Sequence, residues 1–337
     1  RFDYDKDGNS KGLLIEEART NLDANSFAVG SLNLATSFVA SGDADPSGGS
    51  SSYKITPSTG SGFHYQHRTY TVTDGTVYTY SVYVKPDGIY KHLMLNSPAG
   101  NAAGNAGPIF NLETGQQESF LTADHPTTIT ECGNGWYRIS VQYTASGTSI
   151  RIDHNILPSV SVGGYSGDGS SGMLFWGSQL EQGSFPSSFL PTLGSTTTRA
   201  ADVASVSGTA FSRFFKDTEG TIVADVQLPR GWKDTDYNRI YSFSDSSTSD
   251  EIEGWLDATN FKVYGQLKSG SVSQAANTAS DILIDSGEIA KIGQSYKVNS
   301  HKVYQDGVSG ATTTSLTLPS GLNKLSIGGK SSATSLL

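Results

Sequence analysis

The chain opens RFDYDKDGNSKGLLIEEARTNL, and Asp3, Asp5, Asp7 and Gly8 fall at the spacing of an EF-hand calcium loop. Such a loop takes acids at positions one, three and five, glycine at six and a bidentate glutamate at twelve. Counting from Asp3, the twelfth residue is Leu14, and Glu16 and Glu17 come two and three residues late. Too few residues precede the comb for an entering helix. The expectation is an exposed acidic turn, with no metal site.

Glu251 and Glu253, in SDEIEGW, stand two residues apart and so share one strand face. Retaining glycoside hydrolysis needs an acid and a nucleophile about 5 Å apart. The Glu-x-Asp-x-x-Glu pattern of concanavalin-type β-glucanases is missing, however, and the pair is read as a solvated strand end. No G-x-S-x-G elbow or P-loop occurs, and Gly100–Gly107 (GNAAGNAG) reads as a plain loop. The six histidines are dispersed, and His64 and His67 straddle opposite strand faces. Cys132 sits in a glycine turn with no base nominated beside it. The sequence gives no reason to expect an enzyme or a cofactor.

Sugar recognition is the chemistry the residue types support. A flat aromatic ring stacks on the C–H face of a pyranose, and planar polar groups satisfy its hydroxyls. Trp136, Arg138 and Gln142 alternate along one strand. Arg151 and Asp153 do so along another, and Tyr83 joins them from a third. In the second half, Trp232, Tyr237, Trp255 and Tyr264 lie in or beside loops, and Trp255 is the one taken as a binding candidate. The competing expectation is that Trp136 caps a sheet end while the polar residues face solvent or a neighbouring subunit.

The elements that carry these residues are strands. In VYTYSVYVK, Tyr78, Tyr80, Val82 and Val84 share one face; in GWYRISVQYT, Tyr137, Ile139, Val141 and Tyr143 do the same. Ile150 and Ile152 repeat the pattern. Met173–Glu181 is a further strand, with Trp176 placed in the core. Turns fall at Pro86-Asp87-Gly88, Gly133-Asn134-Gly135 and Gly167-Asp168-Gly169. Short helical turns are expected only at Leu14–Asn21 and Asp281–Lys291. A second strand series covers 221–228, 239–244, 260–267 and 295–308, with a hairpin at Asp306-Gly307.

This predicts an all-β chain of two tandem β-sandwich or jelly-roll domains with very little helix. The first spans 1–193, residues 194–204 link, and the second spans 205–337, with its last strand expected to be missing. A start at Arg1, without methionine, suggests a piece of a longer protein. The composition agrees: 38 glycines, 2 methionines and 16% charged residues in 337 disfavour helix. A net charge of −9, with no basic run, argues against nucleic acid as partner. No apolar stretch suggests membrane insertion. A single cysteine excludes an intrachain disulfide framework.

Five phrases occur in a characteristic order: GLLIEEARTNL (12–22), TYSVYVK (79–85), GNGWYRISV (133–141), WGSQLEQG (176–183) and SSFLPTLGSTTTRAAD (187–202). Together they resemble the carbohydrate-binding-type jelly roll of bacteriophage tail and head-fibre proteins. GTIVADVQL, RIYSFSD, YQDGV and LNKLSIGG, within 220–329, resemble the concanavalin A-like, laminin-G-type sandwich that often follows it. The resemblance implies a structural virion protein exposed on the particle surface and touching host cell-surface polysaccharide and other virion proteins. It also implies a homo-oligomer, taken as a trimer. A polysaccharide-degrading enzyme (glycosidase or lyase) or its accessory carbohydrate-binding module, and a purely architectural virion decoration protein, are the alternatives.

Overall fold

The computed structural model describes residues 2–32, 36–39, 43–97, 107–120, 125–160, 163–227, 237–245, 247, 249–257, 262–278 and 289–328. Strands dominate, and the one helix among the described residues is Gly208–Ser212. Contacts divide the chain into two units. One comprises Tyr4–Ser10 and Arg19–Arg199; the other comprises Arg1–Asp3, Lys11–Ala18 and Ala200–Leu337.

The first unit stacks two six-stranded antiparallel sheets. The front sheet runs Gln116–Phe120, Pro108–Asn111, His92–Asn96, Ser149–Leu157, Tyr65–Thr71, Ser31–Leu32. The back sheet runs Thr127–Glu131, Tyr137–Thr144, Val77–Asp87, Gly172–Gln182, Tyr53–Pro57, Thr36–Val39. The apolar faces expected from alternation meet between them: Tyr80, Val84, Ile139, Val141, Ile150 and Ile152 are all fully buried. Trp176 is buried too, but in a smaller cluster on the other side of the back sheet, with Trp136 and Leu174. A bulge between Trp176 and Gln179 resets the alternation, so that Leu180 returns to the main core. Gly177 makes the bulge at φ 61°, where a Cβ would press on the Phe189 ring 3.1 Å away.

A buried carboxylate ties this unit together. Asp23 accepts from Arg68 and from the Tyr70 hydroxyl of the front sheet (3.1 Å), and from Ser178 Oγ of the back sheet (2.5 Å). Its own carbonyl accepts from Thr192 Oγ at 2.5 Å. Asn21, two residues earlier, holds Leu190 O and the backbone N–H of Leu180. Leu14–Asn21 is therefore not the helical turn expected: Arg19–Asn21 is a strand paired with Thr197–Arg199, and residues 14–18 are extended connection.

The second unit carries a six-stranded sheet in the order Ala204–Ser207, Lys324–Ile327, Tyr237–Ser244, Glu251–Asp257, Lys262–Ser269, Val272–Thr278. Its four-stranded sheet runs Glu219–Gln227, Ile289–Lys297, Ser300–Gln305, Val308–Ser309. The Asp306-Gly307 hairpin is present, both residues at positive φ. Asn299, at φ 57°, turns the chain once more inside the 295–308 segment read as one strand. Of the expected helical turn at Asp281–Lys291, residues 281–288 lie outside the described residues and 289–291 are strand. A polar chain crosses this core: Tyr241 donates to Gln294 at 2.6 Å, and Gln294 meets His301 Nε2 at 2.9 Å.

Two expectations follow. Asp23→Ala leaves Arg68 buried and unpaired, and should lower the unfolding free energy by about 3–5 kcal/mol in urea titration. The second concerns acid. Burial lowers the His154 pKa to about 3, with the Arg68 charge adding to it, and lowers that of His301 to about 4. The unfolded chain takes up these protons below about pH 6.5, whereas the folded units keep His154 neutral down to pH 4 and His301 neutral until pH approaches 4. Stability should therefore fall from pH 6.5 to pH 4, by about 3 kcal/mol for the unit holding His154, and His154→Gln should flatten that slope.

Candidate functional site

Sequence alternation offers two polar sheet faces in the first unit, and packing separates them. On the back sheet, Trp136 is 1% exposed and packs with Leu174, Trp176, Phe27 and Phe189. Its indole N–H reaches the Ala44 carbonyl at 3.3 Å, and that of Trp176 reaches Ser51 Oγ at 2.8 Å. Both acceptors belong to a loop organised by Asp45, whose carboxylate accepts from Ser47, Gly49 and Ser51. Burial works against the charge there, but these bonds outweigh it and hold the carboxyl well below its usual range.

The segment after the Gly172–Gln182 strand is pinned across the same face. Ser187 donates to Glu181, and Leu190 N donates to Gln179 Oε1 at 2.7 Å. Arg138 donates to Ser187 O at 2.7 Å and to Ser81 Oγ at 3.0 Å, with its guanidinium 5.4 Å from the Tyr83 ring centre. Tyr83 packs edge-on to Trp176 at 5.1 Å. Gln142 lies half-buried on this face, opposite Thr79. The wet aromatic face expected from Trp136, Arg138, Gln142 and Tyr83 is thus corrected: alternation put the residues on one side, and a strap covers that side.

The front sheet differs. Arg151 meets Asp153 through two parallel bonds, Nε to Oδ1 at 2.6 Å and Nη2 to Oδ2 at 3.0 Å. The guanidinium lies 5.6 Å from the Tyr65 ring centre, and Tyr65 is 6.0 Å from His67. Register places His67 and Asn96 on either side of Asp153, and Tyr65 and Met94 on either side of Asn155. Burial raises the Asp153 pKa against the pull of Arg151, and burial plus Arg151 lowers that of His67. Further along the face, His92 Nε2 and Asn111 Nδ2 both meet Glu118, at 3.0 and 2.6 Å.

Four buried polar atoms on this face have no hydrogen-bond partner among the described residues: His67 Nδ1, His92 Nδ1, Asn96 Oδ1 and Asn155 Nδ2. Buried polar groups are rarely left so, and four on one sheet face offer a ready set of donors and acceptors. Arg151 and Asp153 were nominated from sequence. Tyr65, His67, Asn96 and Asn155 were not, because their neighbourhood is created by pairing three strands far apart in the chain. His64 is buried and hydrogen-bonded to Tyr165 O at 2.8 Å, away from this set.

Trp255 belongs to the second unit, half-buried and stacked on Tyr264 at 5.7 Å and 7°. Glu251 and Glu253 share its strand but are buried, not solvated. Glu253 pairs with Arg239 at 2.8 Å, and Glu251 with Lys268 at 3.4 Å. Trp232 and the Gly100–Gly107 loop up to residue 106 lie outside the described residues, as does the side chain of Tyr237. In the opening comb, Asp5 accepts from Asp7 N, Asn9 N and Asn9 Nδ2 at 2.8–2.9 Å, so its carboxylate closes its own turn. Lys6 and Lys11 stand beside Asp7 and Asp3.

No known protein family matches the chain, and no curated protein does. Two solved structures show a distant likeness. The LG1-3 region of the laminin alpha2 chain is 13% identical at TM-score 0.30, over 78% of this chain and 59% of that one. Domains LG4-5 of the mouse laminin alpha1 chain are 13% identical at TM-score 0.27, over 92% and 87%. At such scores neither bears on the site. The fold class stands on the strands and sheets themselves: all-β, built as sandwiches.

Trp136→Ala should cost about 3–5 kcal/mol of stability, measured by denaturant unfolding, because it empties a fully buried indole site. At temperatures where the variant stays folded, any glycan affinity should be unchanged.

Proposed function

We propose that this chain is a structural component of a bacteriophage fibre or appendage, and that it contacts host-surface polysaccharide through the front sheet of its first unit. The phage reading rests on the order of the five phrases from GLLIEEARTNL to SSFLPTLGSTTTRAAD. The glycan reading rests on one observation, the three polar atoms without a partner among the described residues, on His67, Asn96 and Asn155, around the Arg151–Asp153 pair and the Tyr65 ring. A saccharide brings hydroxyls that both donate and accept, so it can meet a histidine nitrogen, an amide oxygen and an amide N–H together. Tyr65 supplies the flat apolar surface for its C–H face.

A shallow site of this kind binds weakly. Several copies on one particle convert weak contacts into lasting attachment. Catalysis has less support, since Glu251 and Glu253 are each held by a cation.

The test is a glycan array of bacterial surface polysaccharides probed with the full chain, followed by titration of the best hit. Arg151→Ala and Tyr65→Ala should each weaken binding by tenfold or more, roughly the loss of one charge-assisted contact. Absence of any hit, or a hit indifferent to both changes, would return the chain to a purely architectural role.

A further inference from the structure

The strand Glu219–Gln227 lies at one edge of the four-stranded sheet and pairs with Ile289–Lys297 alone among the described residues. It is nine residues long and free of bulges along that pairing, and it contains no proline or lysine. Long, flat strand edges ordinarily carry such devices, because an unguarded row of N–H and C=O groups recruits another strand. Among the described residues no further strand, proline, lysine or bulge guards this edge, and its charged side chains are Glu219 and Asp225.

Its inward row is also incompletely covered. Ile222, Ala224 and Val226 are only half-buried, whereas Ala290, Ile292 and Gln294, opposite them on the neighbouring strand, are 3%, 2% and 0% exposed. Val223, on the outward face, is 65% exposed. At the start of the strand a cleft of about 500 Å³ opens between Phe215, Ile222, Phe243 and Tyr296. Gly220 borders it with no side chain, over the Tyr296 ring.

We propose that this edge is a self-association surface. It pairs antiparallel with the same strand of a second copy, about a two-fold axis through Val223. The strand complements itself in that register. Val223 faces Val223, Thr221 faces Asp225, and Glu219 faces Gln227, so no like charges meet. Sliding by two residues in one direction sets Glu219 against Asp225; sliding in the other sets Val223 against Asp225. Directly opposed like charges destabilise strand pairs, and a slip of one residue turns the apolar row outward. On the inward side, Ile222 meets Ala224, and the second copy's Val226 comes opposite Gly220, at the open cleft. The half-buried row and the cleft are thus closed by the same contact. Such an interface is isologous and joins two four-stranded sheets into one of eight. It is independent of the glycan site on the other unit.

Sedimentation equilibrium of the full chain tests this. The expected result is a reversible dimer of twice the 35.6 kDa chain mass at concentrations on the order of 100 µM. Val223→Lys puts two ammonium groups on the axis and should leave only monomer. Thr221→Lys, opposite Asp225, should tighten the dimer and Thr221→Asp should loosen it, each by roughly fivefold. Thermal melts of the dilute variants check that the fold is kept, since both positions are solvent-exposed. A monomer at all concentrations, a trimer, or equal effects of the two Thr221 variants would overturn the proposal.

Discussion

A single buried carboxylate, that of Asp23, sets the terms for the first unit. It is 2% exposed, and its charge is met by Arg68 and hydroxyls from both sheets. An ion in that position is tolerable only when every lone pair is satisfied, so the groups around it have little freedom to move. Arg68 adds bonds to the carbonyls of Asn25 and Ala28, which brings the 23–28 turn onto the sandwich. Thr192 and Asn21 then bind the 187–192 strap to the same turn. The residues of TNL and SSFLPTLG act here as fasteners.

That fastening closes the outward face of the back sheet. A jelly roll offers two outward faces, and alternation gives both a similar polar appearance. The strap and the Asp45 loop convert the back face into a second small core around Trp136 and Trp176, using Phe27 and Phe189 as lids. Arg138, which looked like a ligand-binding cation, has its Nη2 held by Ser187 and Ser81. On the front face Met94, Ile109 and Leu157 form a small buried cluster of their own, and beside it His67, Asn96 and Asn155 keep polar atoms with no hydrogen-bond partner among the described residues.

The same contrast explains how far the residues could be read in advance. Period-two alternation identified the main core correctly, from Tyr80 and Val84 to Ile139 and Ile152, because every strand there has one face against the opposite sheet. It placed Trp176 correctly as buried beside Leu174 but set Leu180 on the same face, whereas the extra residue at Gly177 exchanges the faces and leaves no mark in a hydropathy pattern beyond a glycine. It misjudged Trp136 because the cover comes from aperiodic chain, whose docking depends on Asn21, Asp23 and Gln179 side chains. Arg151 and Asp153 were readable, being two apart on one strand. Tyr65, His67 and Asn96 reach them through pairings of strands some 55 to 90 residues apart in sequence, and no local pattern encodes that register.

The second unit solves its burial problem differently, and the difference shapes its surface. Its core contains a polar chain through Tyr241, Gln294 and His301, accommodated because Gly254 and Gly265 withdraw their side chains where Tyr241, Gln294 and Val303 press in. Such a network is satisfied only in one arrangement, so it fixes the register of the two sheets. The Glu219–Gln227 strand takes no part in it. Its inward residues are small or aliphatic, and its neighbour holds the glutamine. Along this strand, regular over nine residues, the inward Ile222, Ala224 and Val226 are only half-buried, whereas their neighbours Ala290, Ile292 and Gln294 are fully covered.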